Sequence, residues 1–451
     1  MPYEYKGTRV IRYFQKLWLA GLAVGLTRAV NAAPVLMISI DGLRPGDVFE
    51  AQQRGLKIPN LRSFVAQGST ATGVFGVLPT VTYPSHTTLI TGVSPAKHGV
   101  VNNLTFDPTN INQQGWYWFA SDIKVPTLWE AAHAKGLVTA NVHWPVSVEA
   151  KGVDYNLPQI WHTGHPDDEK LVHALSTPGL LDSLTAKLGP YARGIDDEIG
   201  GDETRGRFAV QLIADHKPEF ATVYLTALDT NQHHFGPGST EAHAALERID
   251  AVVGTLIDAE LKVHPDAVIA IVSDHGFVPT TTEINLYIPF IQSGLITVDE
   301  KFNIKAWDAV PWISGGSIAV VLKRPDDAAL VKKVGDLLAS LKADPTMHIA
   351  DVIGHDEIVK RGGNPQASFY VALKLDAMAG YKGMTPAGPS SYKGMHGHFP
   401  ENPELQSVFM VKGQRIPGHY SLGLIDMRSI APTLAKLMGT SLPDAEKPPL
   451  F

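Results

Sequence analysis

The sequence predicts an α/β protein whose mostly parallel central sheet is sandwiched by helices. Short Val- and Ile-rich runs alternate with longer segments of helical spacing, and three of those runs lead directly into an aspartate or an aspartate-containing turn. Of 451 residues, 44% are hydrophobic and 18% charged, the balance of a globular chain with a filled core rather than a disordered one.

The elements follow in chain order. Lys6, Arg9, Arg12 and Lys16 precede the apolar stretch from Leu17 to Leu26, and the small residues Val30, Ala32 and Ala33 come after it. That order predicts a secretory signal peptide over 1–32, cut after Ala32. The apolar run is about ten residues, half of the roughly 20 that a bilayer span requires, so an exported, periplasmic or secreted chain with no stable membrane insertion is expected. The apolar runs from Pro34 to Ile40, Leu137 to Val142, Phe220 to Leu228, Ala267 to Val272 and Ser407 to Val411 predict the sheet. Ligands in open α/β sheets bind beyond the carboxyl ends of the strands, so Asp41, Asp229 and Asp274 are expected on one edge. From about Val278 the texture changes: a Gly-rich stretch at Trp312 to Ser317, an apolar run at Ile318 to Leu322 and a helical segment at Asp326 to Leu341. This predicts a core over 33–277, an inserted cap over 278–393 and a return to the core over 394–451. A helix from Leu424 to Met438, stopped by Gly439, precedes a Pro-rich tail.

Composition excludes several functions. A formal net charge of -7 and a pI near 6.2 give no basic field for a polynucleotide. The chain has no cysteine, which removes disulfides, thiolate ligands, a thiol nucleophile and the cysteine from which most sulfatases make formylglycine. A metal would have to sit on His, Asp and hydroxyl groups.

Such groups recur in pattern. Asp229 and His233 stand four apart, so a carboxylate and an imidazole can reach one ion from a single helical turn. A pair at that spacing is expected about once by chance in a chain with 18 histidines, so it carries weight only in company. Asp274 and His275 come immediately after a predicted buried strand, where the turning backbone lets neighbours face one point. His396 and His398 lie in a glycine frame that permits close backbone approach, and loop chemistry alone leaves open which of them is a ligand. Thr82 stands two residues before Pro84, which fits the first turn of a helix; a hydroxyl there is placed to attack phosphorus or, more commonly, to cap the helix.

Together these motifs resemble the nucleotide pyrophosphatase/phosphodiesterase family of the alkaline phosphatase superfamily, over nearly all of the chain after residue 32. The matching pieces are Ser39 to Pro45, Pro79 to Gly92 continuing through Ser94 to Asn103, Asp229 to Pro237, Ser273 to Gly276, and His396-Gly397. The resemblance implies an alkaline-phosphatase-like fold and two Zn2+, one held by Asp229, His233 and His396, the other by Asp41, Asp274 and His275. It implies Thr82 as nucleophile and ligand of the second zinc, and Asn103 as donor to a phosphoryl oxygen. It also implies Tyr83 as an aromatic packing on a nucleobase. A second aromatic wall should follow Trp144-Pro145, where the sequence departs from the family pattern, and Trp161 is the substitute. The implied activity is cleavage of phosphodiester or pyrophosphate bonds of small, nucleotide-like esters through a phosphothreonine. Zinc coordination would lower the pKa of a hydroxyl that has no evident general base.

Two other readings compete. A phosphomonoesterase or phosphonate hydrolase could share the metal site, but a monoester dianion calls for extra cationic groups, and no paired Lys and Arg stand between Trp144 and Asp202. A catalytically inactive periplasmic protein binding zinc or nucleotide is disfavoured by the completeness of the ligand and Thr82 positions. The sequence does not specify an oligomeric state.

Overall fold

The computed structural model describes residues 32–111, 115–381 and 384–451, so residues 1–31 of the expected signal peptide lie outside the described residues. Among the described residues no helix is long and apolar enough to cross a membrane.

Six strands come first along the central sheet: β1 (Val35–Ile40), β2 (Ser69–Phe75), β3 (Thr139–Val142), β4 (Tyr155–Leu157), β5 (Phe220–Leu225) and β6 (Val268–Val272). With Phe409–Lys412 and Tyr420–Asp426 they form an eight-stranded sheet. The centre reads β6-β1-β5-β3-β4, all parallel, and Phe409–Lys412 is antiparallel to both its neighbours, β6 and β2. β1, β5 and β6 are buried along their whole length, which is why they read as continuous apolar runs rather than alternating ones. Leu36, Ile38 and Ile40 pack into one core and Val35 and Met37 into the other, on opposite faces of the sheet. Full burial contributes about 1.5–3 kcal/mol per Val, Leu or Ile side chain.

Register sets the site. Ile40 pairs with Leu225, and Ser39 pairs with Val272, so the chain leaves all three central strands at the same level of one edge. Asp41 follows β1, Asp274 stands two residues past β6, and Asp229 lies in the helix Ala227–Phe235 that follows β5.

Between the last of these strands and the return to the sheet, Ala309–Ser314, Ser317–Leu322, Phe369–Leu373 and Ile349–Gly354 form a four-stranded antiparallel sheet. The helix Ala328–Ala343 buries Leu330, Val334 and Leu338 in a core shared with this sheet. The C-terminal helix is shorter than the sequence predicts, Ile430–Leu437, because Leu424 belongs to the strand Tyr420–Asp426 that pairs with β2. Likewise the apolar run expected as strand to Leu228 stops at Leu225, where Asp202 intercepts the backbone: its carboxylate accepts from Thr226 N at 2.9 Å and Ala227 N at 3.0 Å and starts the next helix.

Candidate metal centre

Asp229 and His233 stand one turn apart on the helix Ala227–Phe235, with Oδ2 and Nε2 3.3 Å apart, and His396 Nε2 approaches Asp229 Oδ1 at 3.7 Å. Beside them, His275 Nε2 lies 3.1 Å from Asp274 Oδ2 and 3.4 Å from Asp41 Oδ1. Each trio offers ligand atoms within 4.8 Å of one another. The structure thus brings together both sets of three residues that the resemblance implies, and the rings of His275 and His396 stack across the boundary between them at 3.6 Å.

The histidines are oriented by their outer nitrogens. Nδ1 of His233 faces Gly394 O at 3.0 Å, Nδ1 of His396 faces Thr80 O at 3.1 Å, and Nδ1 of His275 faces Gly276 O at 3.2 Å. A carbonyl accepts only, so each Nδ1 carries the proton and each Nε2 lone pair points at the carboxylates. Close backbone approach makes these contacts possible. Gly397 has φ +88° and a Cβ there would meet Ser314 O at 2.0 Å; Gly42 has φ +67° and donates its N–H to Asp274 Oδ1 at 3.2 Å. His398 is not part of the centre: its Nε2 is taken by the carbonyls of Lys374 and Ala377, at 3.2 and 3.0 Å.

The electrostatics call for cations. Burial first, then the charges of Asp274 and Asp229, pushes the Asp41 carboxyl well up. Burial and Asp197 do the same to Asp229, and burial and Asp229 raise Asp274 to about 7. Burial holds His233 down at about 4 and, with neighbouring histidines, His275 and His396 well below the usual imidazole range. One oxygen of each acid, Asp41 Oδ1, Asp229 Oδ1 and Asp274 Oδ2, is buried without a hydrogen-bond partner. Buried, orphaned carboxylate oxygens converging with neutral imidazoles fit two divalent cations with nitrogen and oxygen preference, such as zinc.

Thr82 is the first residue of the buried helix Thr82–Thr91, and its Oγ1 is 3.5 Å from His275 Nε2. Val81 cannot cap that helix; Asn103 does, its Oδ1 accepting from Tyr83 N at 2.8 Å. The bond fixes the amide so that its NH2 is left to donate elsewhere. Behind Thr82, His86 bridges Thr82 O at 2.8 Å and Ser39 Oγ at 2.9 Å, and burial holds it neutral with its pKa down at about 3. The hydroxyl of Tyr224 donates to Asp41 Oδ2.

A cavity of about 420 Å³ opens over Asp229, His233 and His396 and over Asp41 of the other trio, with Thr82 and Asn103 also in its lining. Tyr83 lines it but is only 1% exposed, with Trp116 tilted against it at 5.2 Å. Trp161 lines the cavity too and stacks on Trp116 at 4.1 Å and 9°. Trp116 was not foreseen from the sequence; the one available signal is the aromatic run Trp116-Tyr117-Trp118 shortly after Asn103.

Comparison with known proteins bears on this centre. The family model for type I phosphodiesterase/nucleotide pyrophosphatase matches residues 35–397. Human ectonucleotide pyrophosphatase/phosphodiesterase family member 1 is 26% identical over 269 residues, 56% of this chain and 24% of that protein. An uncharacterised pyrophosphatase/phosphodiesterase of Schizosaccharomyces pombe is 26% identical over 286 residues, 61% of this chain and 49% of that one. The chain therefore spans between a quarter and a half of the length of these relatives. Among solved structures, human ectonucleotide pyrophosphatase/phosphodiesterase 5 superposes with a TM-score of 0.65 at 18% identity, covering 90% of this chain and 95% of that one. An inactive variant of the murine protein, solved in complex with AMP, gives 0.65 at 17% identity over 91% and 96%.

Proposed function

Since the chain belongs to the type I phosphodiesterase/nucleotide pyrophosphatase family, we propose that it is a two-zinc hydrolase of phosphodiester or pyrophosphate bonds, with Thr82 as nucleophile. The observation that carries this reading is the pair of adjoining ligand trios, with the Thr82 hydroxyl 3.5 Å from His275 of one of them and lining the same cavity as Asp41, Asp229, His233 and His396. Asp229, His233 and His396 would hold one ion, and Asp41, Asp274, His275 and the Thr82 hydroxyl the other. Bound zinc supplies Lewis-acid stabilisation of phosphoryl oxygens and lowers the pKa of a coordinated hydroxyl.

The chain's own groups do the rest. Thr82 Oγ1 forms a bond to phosphorus as the bond to the departing alcohol breaks, and water then releases the phosphate monoester and restores the hydroxyl. The Asn103 NH2, free because its oxygen is committed to Tyr83 N, donates to a phosphoryl oxygen as charge builds there. His86 holds the Thr82 carbonyl and so the nucleophile's backbone. Trp161 and Trp116, the latter backed by the buried Tyr83, give a substituent on the phosphoryl group an aromatic wall, which suits a nucleotide, the substrate class in the relatives' names. No Lys or Arg lines this cavity among the described residues, which supports diesters over monoester dianions. Export of the mature chain to the periplasm or medium completes the reading, with the cap over 278–393 as a substructure beside the core.

The test is turnover of zinc-loaded protein on matched aryl phosphodiester, phosphomonoester and phosphonate substrates, together with metal analysis. Diester preference with two zinc ions per chain is expected. A higher kcat/KM for the monoester, or full activity with one ion, refutes the reading.

A further inference from the structure

Gln232 lies on the helix Ala227–Phe235 between Asp229 and His233, belongs to neither trio and does not line the cavity. It is fully buried, and its Nε2 donates to Gly42 O at 2.9 Å. A carbonyl accepts only, so the amide nitrogen must be the end that faces it. The other end, Oε1, is buried with no hydrogen-bond partner. A buried acceptor left open costs about 1–3 kcal/mol, a cost that an apolar side chain of similar length would not carry, so what the amide contributes here is its donor to Gly42.

Gly42 follows Asp41 in the turn that leaves β1, and it touches both halves of the metal centre. Its N–H donates to Asp274 Oδ1 at 3.2 Å, inside the trio of Asp41, Asp274 and His275, while its carbonyl accepts from the helix that carries Asp229 and His233. The approach is close: a Cβ on Gly42 would stand 2.8 Å from Gln232 Nε2 and 3.1 Å from the Phe277 ring.

The two sides of this bond are unequally held. The helix is anchored at both ends without it. At its start the Asp202 carboxylate takes Thr226 N and Ala227 N, and Asp202 is itself organised by the fully buried Arg205, whose Nη2 donates to it and to Thr226 Oγ1. At its end Lys393 N donates to His233 O at 2.8 Å and His233 Nδ1 to Gly394 O at 3.0 Å. The turn is less well closed. Asp41 N is held by Leu225 O at 2.9 Å, but Leu43 N stands 3.4 Å from Ile40 O, longer than a well-formed bond, and turns instead to Ser273 Oγ at 2.9 Å. Order therefore passes from helix to turn: Gln232 sets the plane of the peptide that joins Gly42 to Leu43, and with it the backbone from which the Asp41 carboxylate reaches its trio.

We propose that Gln232, although it stands in the helix of the Asp229 trio, is a positioning residue for the metal ion of the other trio, Asp41, Asp274 and His275. The proposal rests on the two-metal reading and adds to it a tie between the two sites that neither ligand set contains.

The test measures zinc dissociation constants by chelator competition in two single-site backgrounds, His233→Ala, which leaves the Asp41 trio, and His275→Ala, which leaves the Asp229 trio. Each is compared with and without Gln232→Met, which keeps the length of the side chain and removes the donor. Hydrogen bonds that orient metal ligands from outside are worth about 10- to 100-fold in affinity, so Gln232→Met should weaken zinc binding at the Asp41 trio by about tenfold or more, and at least five times as much as at the Asp229 trio. A merely structural role would lower the thermal midpoint and weaken both sites alike; a loss at the Asp41 trio less than five times that at the other overturns the proposal. Where a background or the variant fails to fold or to bind, a crystal structure of the zinc-loaded wild type decides: Gln232 Nε2 bonded to Gly42 O with Asp41 on the ion supports the proposal, and a broken bond overturns it. Two ions in the wild type with no effect of Gln232→Met at either site overturns this proposal alone, whereas a wild-type chain that binds no zinc overturns the two-metal reading and this one together.

Discussion

On the proposed function Asn103 carries two separable duties, and replacing it in two ways tells them apart. Its Oδ1 accepts from Tyr83 N at 2.8 Å and caps a helix whose preceding residue, Val81, cannot. Its NH2 is left for the substrate. Asn103→Ala removes both. Loss of a cap costs about 1 kcal/mol, and loss of one preorganised donor costs about 2.7–4 kcal/mol in the transition state, or 100- to 1000-fold in kcat. Asn103→Asp keeps the capping oxygen, which at a helix start is as good as that of Asn, but removes the donor and sets a negative charge against the phosphoryl group. Unfolding entropy scales at roughly 2.1 cal/mol/K per residue, so the lost cap in Asn103→Ala should lower the calorimetric midpoint by about 1 °C. Asn103→Asp should leave the midpoint at the wild-type value while losing at least as much kcat on an aryl diester as the Ala variant. Wild-type turnover by Asn103→Asp, or equal loss of midpoint in both variants, would refute the division of roles.

Other outcomes follow from the same contacts. Arg205→Met leaves Asp202 buried without its partner and should destabilise the fold by about 3–5 kcal/mol, read as a drop in the denaturation midpoint; a shift within error would contradict the organising role given to that pair. Glu260 is buried with neither oxygen bonded, and burial lifts its pKa from 4.5 to about 8. The folded state therefore binds this proton more tightly: its contribution is complete below the unfolded pKa and is lost as pH rises towards about 8. Glu260→Gln should accordingly be more stable than wild type at pH 9 and converge with it near pH 5, and parallel stability curves would count against this. Chelation should lower the thermal midpoint of the zinc-loaded protein, since removing the ions restores repulsion among Asp41, Asp229 and Asp274; an unchanged midpoint would mean the carboxylates are compensated otherwise.

The clustering of the six candidate ligands was legible in the sequence because they sit where local sequence and local structure coincide. Asp41 and Asp274 follow buried parallel strands, Asp229 and His233 share one helical turn, and His396 stands in a glycine frame. The choice between His396 and His398 was not legible from the loop alone, since it is made by which carbonyls the fold presents to each ring. The rest of the cavity wall was still less so. Trp116, Gln159 and Asp197 come from three segments with no shared motif, and only tertiary packing around Arg205 and the stacked indoles brings them to one space. In the fold, the run Ser407 to Val411 marked the strand Phe409–Lys412 but not its antiparallel direction, and the edge strand Tyr420–Asp426 escaped the pattern altogether. Strand direction is set by the connections around it, and only Ile425 of Tyr420–Asp426 is buried, so that strand lacks the apolar run that marks a buried one.

The central claim, that Thr82 is the attacking group, is tested most directly by trapping. Zinc-loaded protein turning over an aryl phosphodiester is quenched in acid and digested, and its peptides are mapped by mass spectrometry. One phosphoryl ester on the peptide containing Thr82, absent from an inactive Thr82→Ala variant that retains its metal, is the predicted result; an adduct on another residue, or near-wild-type turnover by Thr82→Ala, would contradict it.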